Sequence, residues 1–253
     1  MPTTTHVRPW SDADGNVIEA DEVPSGTKIT FKGRNNRLVV APSARLGRLE
    51  VVFDCDNGVV EVGPSSGVPA LMATMRVGQD ARVVIGANVS TTGTVAISAV
   101  EGVEVRIGDD VMMAEQVQIR ADDGHPIFDV RTGRRVNPAR SISIGAHVWL
   151  GFRSSMLGGA TIGDGSVIGL GAVVKGRIPN NCIAAGVPAR VVRRDVAWER
   201  PHLSLVKPYY KPDASTVTTS AYWAPTAQPD RPSARRRVRA WGGRVLRRLG
   251  LRR

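Results

Sequence analysis

The chain has 253 residues, of which 42% are hydrophobic and only 5% aromatic, and it carries a formal charge of +11 at pH 7. That length holds one or two domains, and the scarcity of aromatic residues suits a thin aliphatic core better than a broad one. Residues 231–253 contain ten arginines and no acid, leaving +1 for residues 1–230, so the chain is not basic throughout. Two cysteines, Cys55 and Cys182, are too few for a disulfide scaffold and show no metal-site spacing. The polar start lacks the apolar segment of a signal peptide. No apolar run approaches the ~20 residues that span a bilayer. A cytoplasmic protein is expected.

In chain order, residues 1–29 read as an N-terminal lead-in rich in Thr, Asp and Pro. A strand signal begins at Lys28-Ile29-Thr30-Phe31, and Gly33-Arg34-Asn35-Asn36 reads as a turn. A beat of aliphatic residues every six positions then appears in degraded form: Val40, Leu46 and Val52; Val77 and Val83; Ile97 and Val103; Ile107, Met113 and Ile119. It stops for residues 120–140 and returns without a slip at Ile144, Leu150, Met156, Ile162, Ile168 and Val174. Glycine follows several of these, as Gly145, Gly151, Gly163 and Gly169. A period of six fits neither a 3.6-residue helix nor a simple alternating strand. It fits a solenoid in which short strands alternate with tight turns. The expected divisions are a solenoid over residues 30–192 with loop 120–140 extruded, a capping helix (193–200) and extended arm within 193–230, and a basic tail over 231–253.

Four blocks carry a resemblance: Asp123-Gly124-His125-Pro126-Ile127-Phe128-Asp129, Ile144-Gly145-Ala146-His147-Val148-Trp149-Leu150-Gly151, Ile168-Gly169-Leu170-Gly171-Ala172-Val173-Val174, and Ala185-Gly186-Val187-Pro188-Ala189-Arg190-Val191. In this order they resemble the hexapeptide-repeat acyltransferases, and within them the polysaccharide and sugar O-acetyltransferase branch. The resemblance implies an all-β fold, a left-handed parallel β-helix, assembled as a homotrimer with active sites between subunits. It implies transfer of acetyl from acetyl-CoA to a hydroxyl of a sugar or cell-envelope polysaccharide precursor.

His125 is the first candidate for the catalytic base, because imidazole can take a hydroxyl proton near neutral pH. Gly124 gives the backbone freedom there, and Pro126 holds His125 extended. Asp123 or Asp129 could orient the ring; the resemblance favours Asp123 and leaves Asp129 on the substrate side. It also implies that His147 and Trp149, both expected outside the coil, line the acceptor site. It places coenzyme A along Gly151, Gly169, Gly171 and Ala172, with Lys175 and Arg190 for its phosphates. No Gly-x-Ser-x-Gly elbow supports an acyl-enzyme, and only His125 and His147 lie in the repeats, too few for a three-histidine zinc site; no metal is expected.

In the tail, Val238, Trp241, Val245, Leu246 and Leu249 share one helical face, with arginines around the rest. That pattern suits a helix lying on an anionic membrane, at the inner face if the acceptor is lipid-linked. Nucleic acid is the weaker competing partner. An N-acyltransferase acting on an amino sugar, and a non-catalytic scaffold with a binding tail, are the alternative readings of the whole chain.

Overall fold

A computed structural model describes residues 3–4, 9–21, 26–208 and 210–224. Almost every strand is parallel to its neighbour one coil away, and the strands stack into faces of eight, nine and six. The eight-stranded face contains Thr27–Phe31, Leu46–Phe53, Leu71–Val77, Val95–Ala99, Gln118–Arg120, Ser155–Leu157 and Val173–Val174. The nine-stranded face contains Arg37–Val40 through Glu104–Ile107, then Ile142–Ile144, Thr161–Ile162 and Arg177–Ile178. The six-stranded face begins only at Ser90–Thr91 and continues through Met112–Met113, Trp149–Leu150, Val167–Ile168 and Ile183–Ala185. The solenoid is therefore two-sided at its start and triangular later.

This change of cross-section explains the uneven beat. In the late coils Ser155 pairs with Val173, a step of 18 residues that accommodates three hexads. In the early coils Thr27 pairs with Leu49 and Arg37 with Val59, a step of 22. Longer strands there alternate sides in the ordinary way. Leu49, Val51 and Phe53 point inward and are fully buried, while Val52, expected to face inward, lies on the outer side. Trp10, Phe31 and Phe53 stack in succession at centroid separations of 5.2 and 5.1 Å, filling the wide end. From Ile107 onward the interior is a column of single aliphatic residues: Ile107, Met113, Ile119, Ile144, Leu150, Met156, Ile162, Ile168 and Val174 are all buried.

Two expected boundaries move. The lead-in is not outside the repeat, because Val17–Glu19 pairs in parallel with Arg37–Val40 and joins the nine-stranded face. The helix expected over 193–200 does not form. Instead Arg190–Arg193 folds back antiparallel onto Ile183–Ala185 and closes the last coil with backbone hydrogen bonds. The stretch beyond it is an extended arm with two short 3₁₀ turns, Ala214–Thr216 and Ala221–Trp223. The basic tail, residues 231–253, lies outside the described residues. No described helix is long and apolar enough to cross a membrane.

Candidate active site

The interruption in the repeat leaves the coil where the eight- and nine-stranded faces meet. Its neck is closed by Arg140, whose N–H donates to the carbonyl of Ala121 at 2.9 Å. Beyond the neck the chain folds as a small hairpin. Phe128 bridges Arg135, and the N–H of Val136 donates to the Ile127 carbonyl at 2.8 Å. Asp129 caps its turn, accepting from the N–H groups of Arg131 and Thr132 at 2.9 and 2.8 Å and from the Thr132 hydroxyl at 3.0 Å. The Thr132 backbone bond is the chief reason its carboxyl sits below its ordinary value. Asp129 therefore builds the turn of the loop through its Oδ1.

His125 stands exposed on this loop. The residue that fixes it is Asn137, which sequence reasoning missed. Its Oδ1 accepts from the Ile127 N–H at 2.6 Å. Its Nδ2 donates both to the His125 carbonyl and to the Asp123 carboxylate, each at 2.9 Å. Asp123 is thus joined to His125 through an amide bound to the backbone, and not by the ring contact expected from its place in the motif. The first turn of the loop has its own anchor. Asp122 is buried, and its carboxylate accepts from Ser98 Oγ and from the N–H of Gly124 at 2.9 Å, with Arg76 Nη1 at 3.6 Å. Gly124 is needed there because its φ is +77°.

A groove of about 340 Å³ runs along the root of the loop, lined by Asp123, Asn137, Arg140, Leu157 and Lys175 among others. The structure thus brings Lys175 to the side of the loop that carries Asp123. The other expected cofactor residues lie elsewhere. Gly151, Gly169, Gly171 and Ala172 border the corner between the six- and eight-stranded faces. Their N–H groups are all engaged between or within coils, to the carbonyls of Ile168, Ala184, Phe152 and Gly169 respectively. Ala172 is wholly buried, so its side chain belongs to the core and not to a ligand surface. Gly171 differs: its φ is +65° and nothing lies within 4 Å of where a side chain would begin. Beside it Leu170 is 74% exposed. Arg190 is on the returning strand, its guanidinium donating to the Ala189 carbonyl at 2.9 Å.

Trp149 stands on the outer side of the six-stranded face, 40% exposed. His147, expected beside it on an open surface, is 2% exposed. Its ring does point out of the coil, but the C-terminal arm covers it. Trp198 stacks on one side at 4.2 Å and Tyr222 at 4.6 Å. Nδ1 lies 2.6 Å from the Asp110 carboxylate and Nε2 lies 2.8 Å from the Trp198 carbonyl. Both ring nitrogens face acceptors, an arrangement that only the doubly protonated imidazolium satisfies. Burial alone pushes the ring's pKa down. The hydrogen bonds to Asp110 and the Trp198 carbonyl, with the charges of Asp110 and Glu199, outweigh it and raise the pKa. His147 is a clasp residue, and the acceptor-lining role expected of it is corrected accordingly.

The clasp extends along one corner of the coil. Asn88, Asp110, His147 and Asn181 all have φ between +51° and +57°. Asn88, Asp110 and His147 stand on successive coils, Gly165 takes the same corner of the next and Asn181 that of the one after, with the N–H of His147 donating to the Asp109 carbonyl at 2.7 Å. The arm runs back along them. Asn181 Nδ2 donates to the carbonyls of Val196 and Tyr222. Arg200 reaches Asp110 Oδ1 at 2.7 Å, Ser90 Oγ at 2.8 Å and the Asn88 carbonyl at 3.3 Å. Among the described residues no group of three or more His, Cys, Asp or Glu is arranged to hold a metal.

A β-solenoid of hexad coils with one histidine-bearing loop thrown from a corner defines a class, and comparison with known proteins fixes it further. No family model matches the chain. The solved structure of NeuO, a polysialic-acid-specific acetyltransferase, superposes with a TM-score of 0.64 at 34% identity, covering 74% of this chain and 79% of that one. The polysialic acid O-acetyltransferase of Escherichia coli O1:K1 is 38% identical over 96 residues, and the galactoside O-acetyltransferase of Escherichia coli K12 is 40% identical over 97. Each of these matches takes in 38% of this chain. The chain spans 31% and 47% of the length of those two relatives. It belongs to the hexapeptide-repeat acyltransferases, in the polysaccharide and sugar O-acetyltransferase branch, and its coil is the left-handed parallel β-helix of that family.

Proposed function

We propose that the protein transfers an acetyl group from acetyl-CoA to a hydroxyl of a sugar or cell-envelope polysaccharide precursor. The observation that carries this reading is the loop itself: an exposed histidine on a hairpin tied down by Asn137, in a chain of this family. His125 takes the proton of the acceptor hydroxyl as its oxygen attacks the thioester carbonyl. The tetrahedral intermediate collapses with cleavage of the carbon–sulfur bond, and the proton on the imidazole goes to the departing thiolate. No acyl-enzyme is needed. Asp123 acts as a positioning residue through Asn137. Lys175, in the groove at the loop's root, meets a phosphate of the cofactor, and open Gly171 lets the cofactor approach the coil closely.

The reading assigns the work to a homotrimer. The loop leaves at the corner between the eight- and nine-stranded faces, whereas Trp149 stands on the six-stranded face, across the triangle. A site using both draws them from neighbouring protomers. Exposed Ile127, Phe128, Val130 and Val136 on the loop, and Leu170 on the coil, supply apolar surface for that contact. We further propose that residues 231–253 hold the protein to anionic membrane at the inner face of the cell membrane, beside a lipid-linked acceptor. The deciding experiment measures free coenzyme A released from acetyl-CoA across a panel of sugars and nucleotide sugars, for the wild type and for His125→Ala. Turnover that needs an acceptor and is lost in the variant is the expected result. Equal turnover in both removes the mechanism.

A further inference from the structure

The arm offers more than a cover for the last coil. Trp198 is nine-tenths buried, and its ring faces two partners. On one side it stacks against His147 at 4.2 Å and 15°. It also meets Trp149 at 6.0 Å and 45°, within the separation at which aromatic pairs attract. Its position is fixed at both ends. The indole Nε1 donates to the His147 carbonyl at 2.9 Å, and its own carbonyl accepts from the His147 ring at 2.8 Å. Two residues on, Arg200 pins the arm to Asp110, the carboxylate that also holds His147. A residue carried by the C-terminal arm is thus locked onto the coil and touches the one site candidate on the six-stranded face.

We propose that Trp198 is a positioning residue for Trp149, holding its indole at the angle the transfer site requires, so that this one residue of the C-terminal arm acts on the transfer site. The reasoning is geometric. Trp149 sits on a strand of two residues and is 40% exposed, so its own strand does little to choose a rotamer. The Trp198 ring closes one side of the space into which it can turn. His147 gives Trp198 a planar ring to stack on, and its two nitrogens are held by Asp110 and by the Trp198 carbonyl. The order of action is Asp110 to His147, His147 to Trp198, and Trp198 to Trp149. This inference rests on the acetyl-transfer reading for what Trp149 does, but the contact chain is independent of it.

The test labels the full-length protein with 5-fluorotryptophan and assigns the Trp149 resonance with Trp149→Phe. In Trp198→Ala the Trp149 signal is expected to shift and broaden. Its kcat is expected to fall about ten- to a hundredfold, the scale of an ångström-sized misplacement, with KM for acetyl-CoA little changed. Trp198→Phe, which keeps an aromatic ring between the same partners, is expected to recover most of the rate. Trp223→Ala removes the bond from Trp223 Nε1 to Glu199 and leaves the Trp149–Trp198 ring contact itself intact; it is expected to leave both the resonance and kcat in place. A Trp149 signal and kcat unchanged in Trp198→Ala, over an active wild type, overturn the inference alone. Equal losses in Trp223→Ala and Trp198→Ala also overturn it, since general loosening of the arm then suffices. A wild type that transfers acetyl to no acceptor overturns the activity reading and removes the site, whatever the resonance does.

Discussion

Asn137→Ala separates the order of the loop from the stability of the coil. The amide makes four hydrogen bonds: three, at 2.6, 2.9 and 2.9 Å, hold the segment from Asp123 to Ile127, and the fourth, at 3.4 Å, is accepted from Arg135 Nε. A hydrogen bond of this kind contributes about 1 kcal/mol net. Asn137 is half-buried, so water replaces part of what is lost, and roughly 1–2 kcal/mol of loop order is removed. Each ~1.4 kcal/mol is a factor of ten in a rate or equilibrium. If His125 works only from the ordered loop, kcat falls about five- to thirtyfold. The melting temperature should hardly move, because the aliphatic column of the coil is untouched. Steady-state release of coenzyme A gives kcat, and amide hydrogen exchange at Ile127 and Val136 reports the loop. Asn137→Asp should be worse, since it keeps the acceptor for Ile127 but places a second carboxylate against Asp123. Wild-type kcat in Asn137→Ala, with exchange at Ile127 clearly faster, would refute the link between loop order and transfer.

His125→Ala should lower transfer about 10²–10⁴-fold with the fold intact, checked by kcat beside a thermal melt; a loss smaller than tenfold argues against a base at this position. Gly151→Ala should destabilise the coil, because a side chain there would begin 2.7 Å from the Ile168 carbonyl oxygen and 2.9 Å from the Leu170 nitrogen; a melting temperature equal to wild type would show that the coils can separate without cost. The clasp should depend on pH. His147 has a raised pKa in the fold, so its contribution is complete below the unfolded value of about 6.5 and is lost as pH rises through the folded value. Asp110 has a lowered pKa: burial pushes it up, but His147 and Arg200 outweigh this, so its contribution is lost as pH falls through the folded value. Glu199 of the arm, its pKa lowered, and Tyr222, its pKa raised by burial, share the cluster, with Arg200 of the arm and Asp109 and Asp164 of the coil as its other charged groups. Melting curves should show the steeper loss on the alkaline side in wild type and a flatter one in His147→Gln; identical profiles would remove His147 as its origin. Liposome flotation on anionic vesicles should fall on deletion of residues 231–253, and equal flotation would end the membrane reading of the tail.

Much of the narrow half of the molecule could be read from the chain. Coils of 18 residues accommodate three hexads, so each aliphatic position from Ile144 to Val174 returns to the same inward direction. The bounds of the loop were legible for the same reason, since the beat fails after Ile119. The wide half hid itself. With a step of 22 residues and strands as long as Leu46–Phe53, inward direction follows alternation within a strand, and a six-residue count drifts out of register by Val52. In the loop, His125 and Asp123 stand in a local motif, but Asn137 acts from 12 residues beyond His125 and no periodicity marks it. His147 shows the limit most plainly. Its hexad position gave its direction, out of the coil. What covers it depends on residues 51 and 75 positions later, on an arm without a repeat.

The corners of the coil explain why one scaffold holds two such different attachments. Where coils pack most closely the corner carries glycine: at Gly145 an added side chain would begin 2.2 Å from the Asp164 carboxylate, and at Gly163 2.1 Å from Asn180. At the corner that holds the arm, Asn88, Asp110, His147 and Asn181 take the left-handed backbone conformation, as Asn35, Asn57, Asp80 and Glu101 do at the corner where the loop leaves. Asn and Asp tolerate that conformation better than most side chains, and each projects a hydrogen-bonding group outward at the coil spacing. The arm needs only to run along this row, and the row can bind it without any change in the interior. The loop is attached through Asp122 and Asn137 at its own root and through Glu101, a left-handed corner residue of the coil, whose carboxylate meets Arg135 at 2.8 Å and accepts from the Ala139 N–H at 3.1 Å. Removing the row should therefore release the arm and leave the loop, whereas removing Asn137 should release the loop and leave the arm. The two segments meet in function only if the faces of neighbouring protomers bring them together.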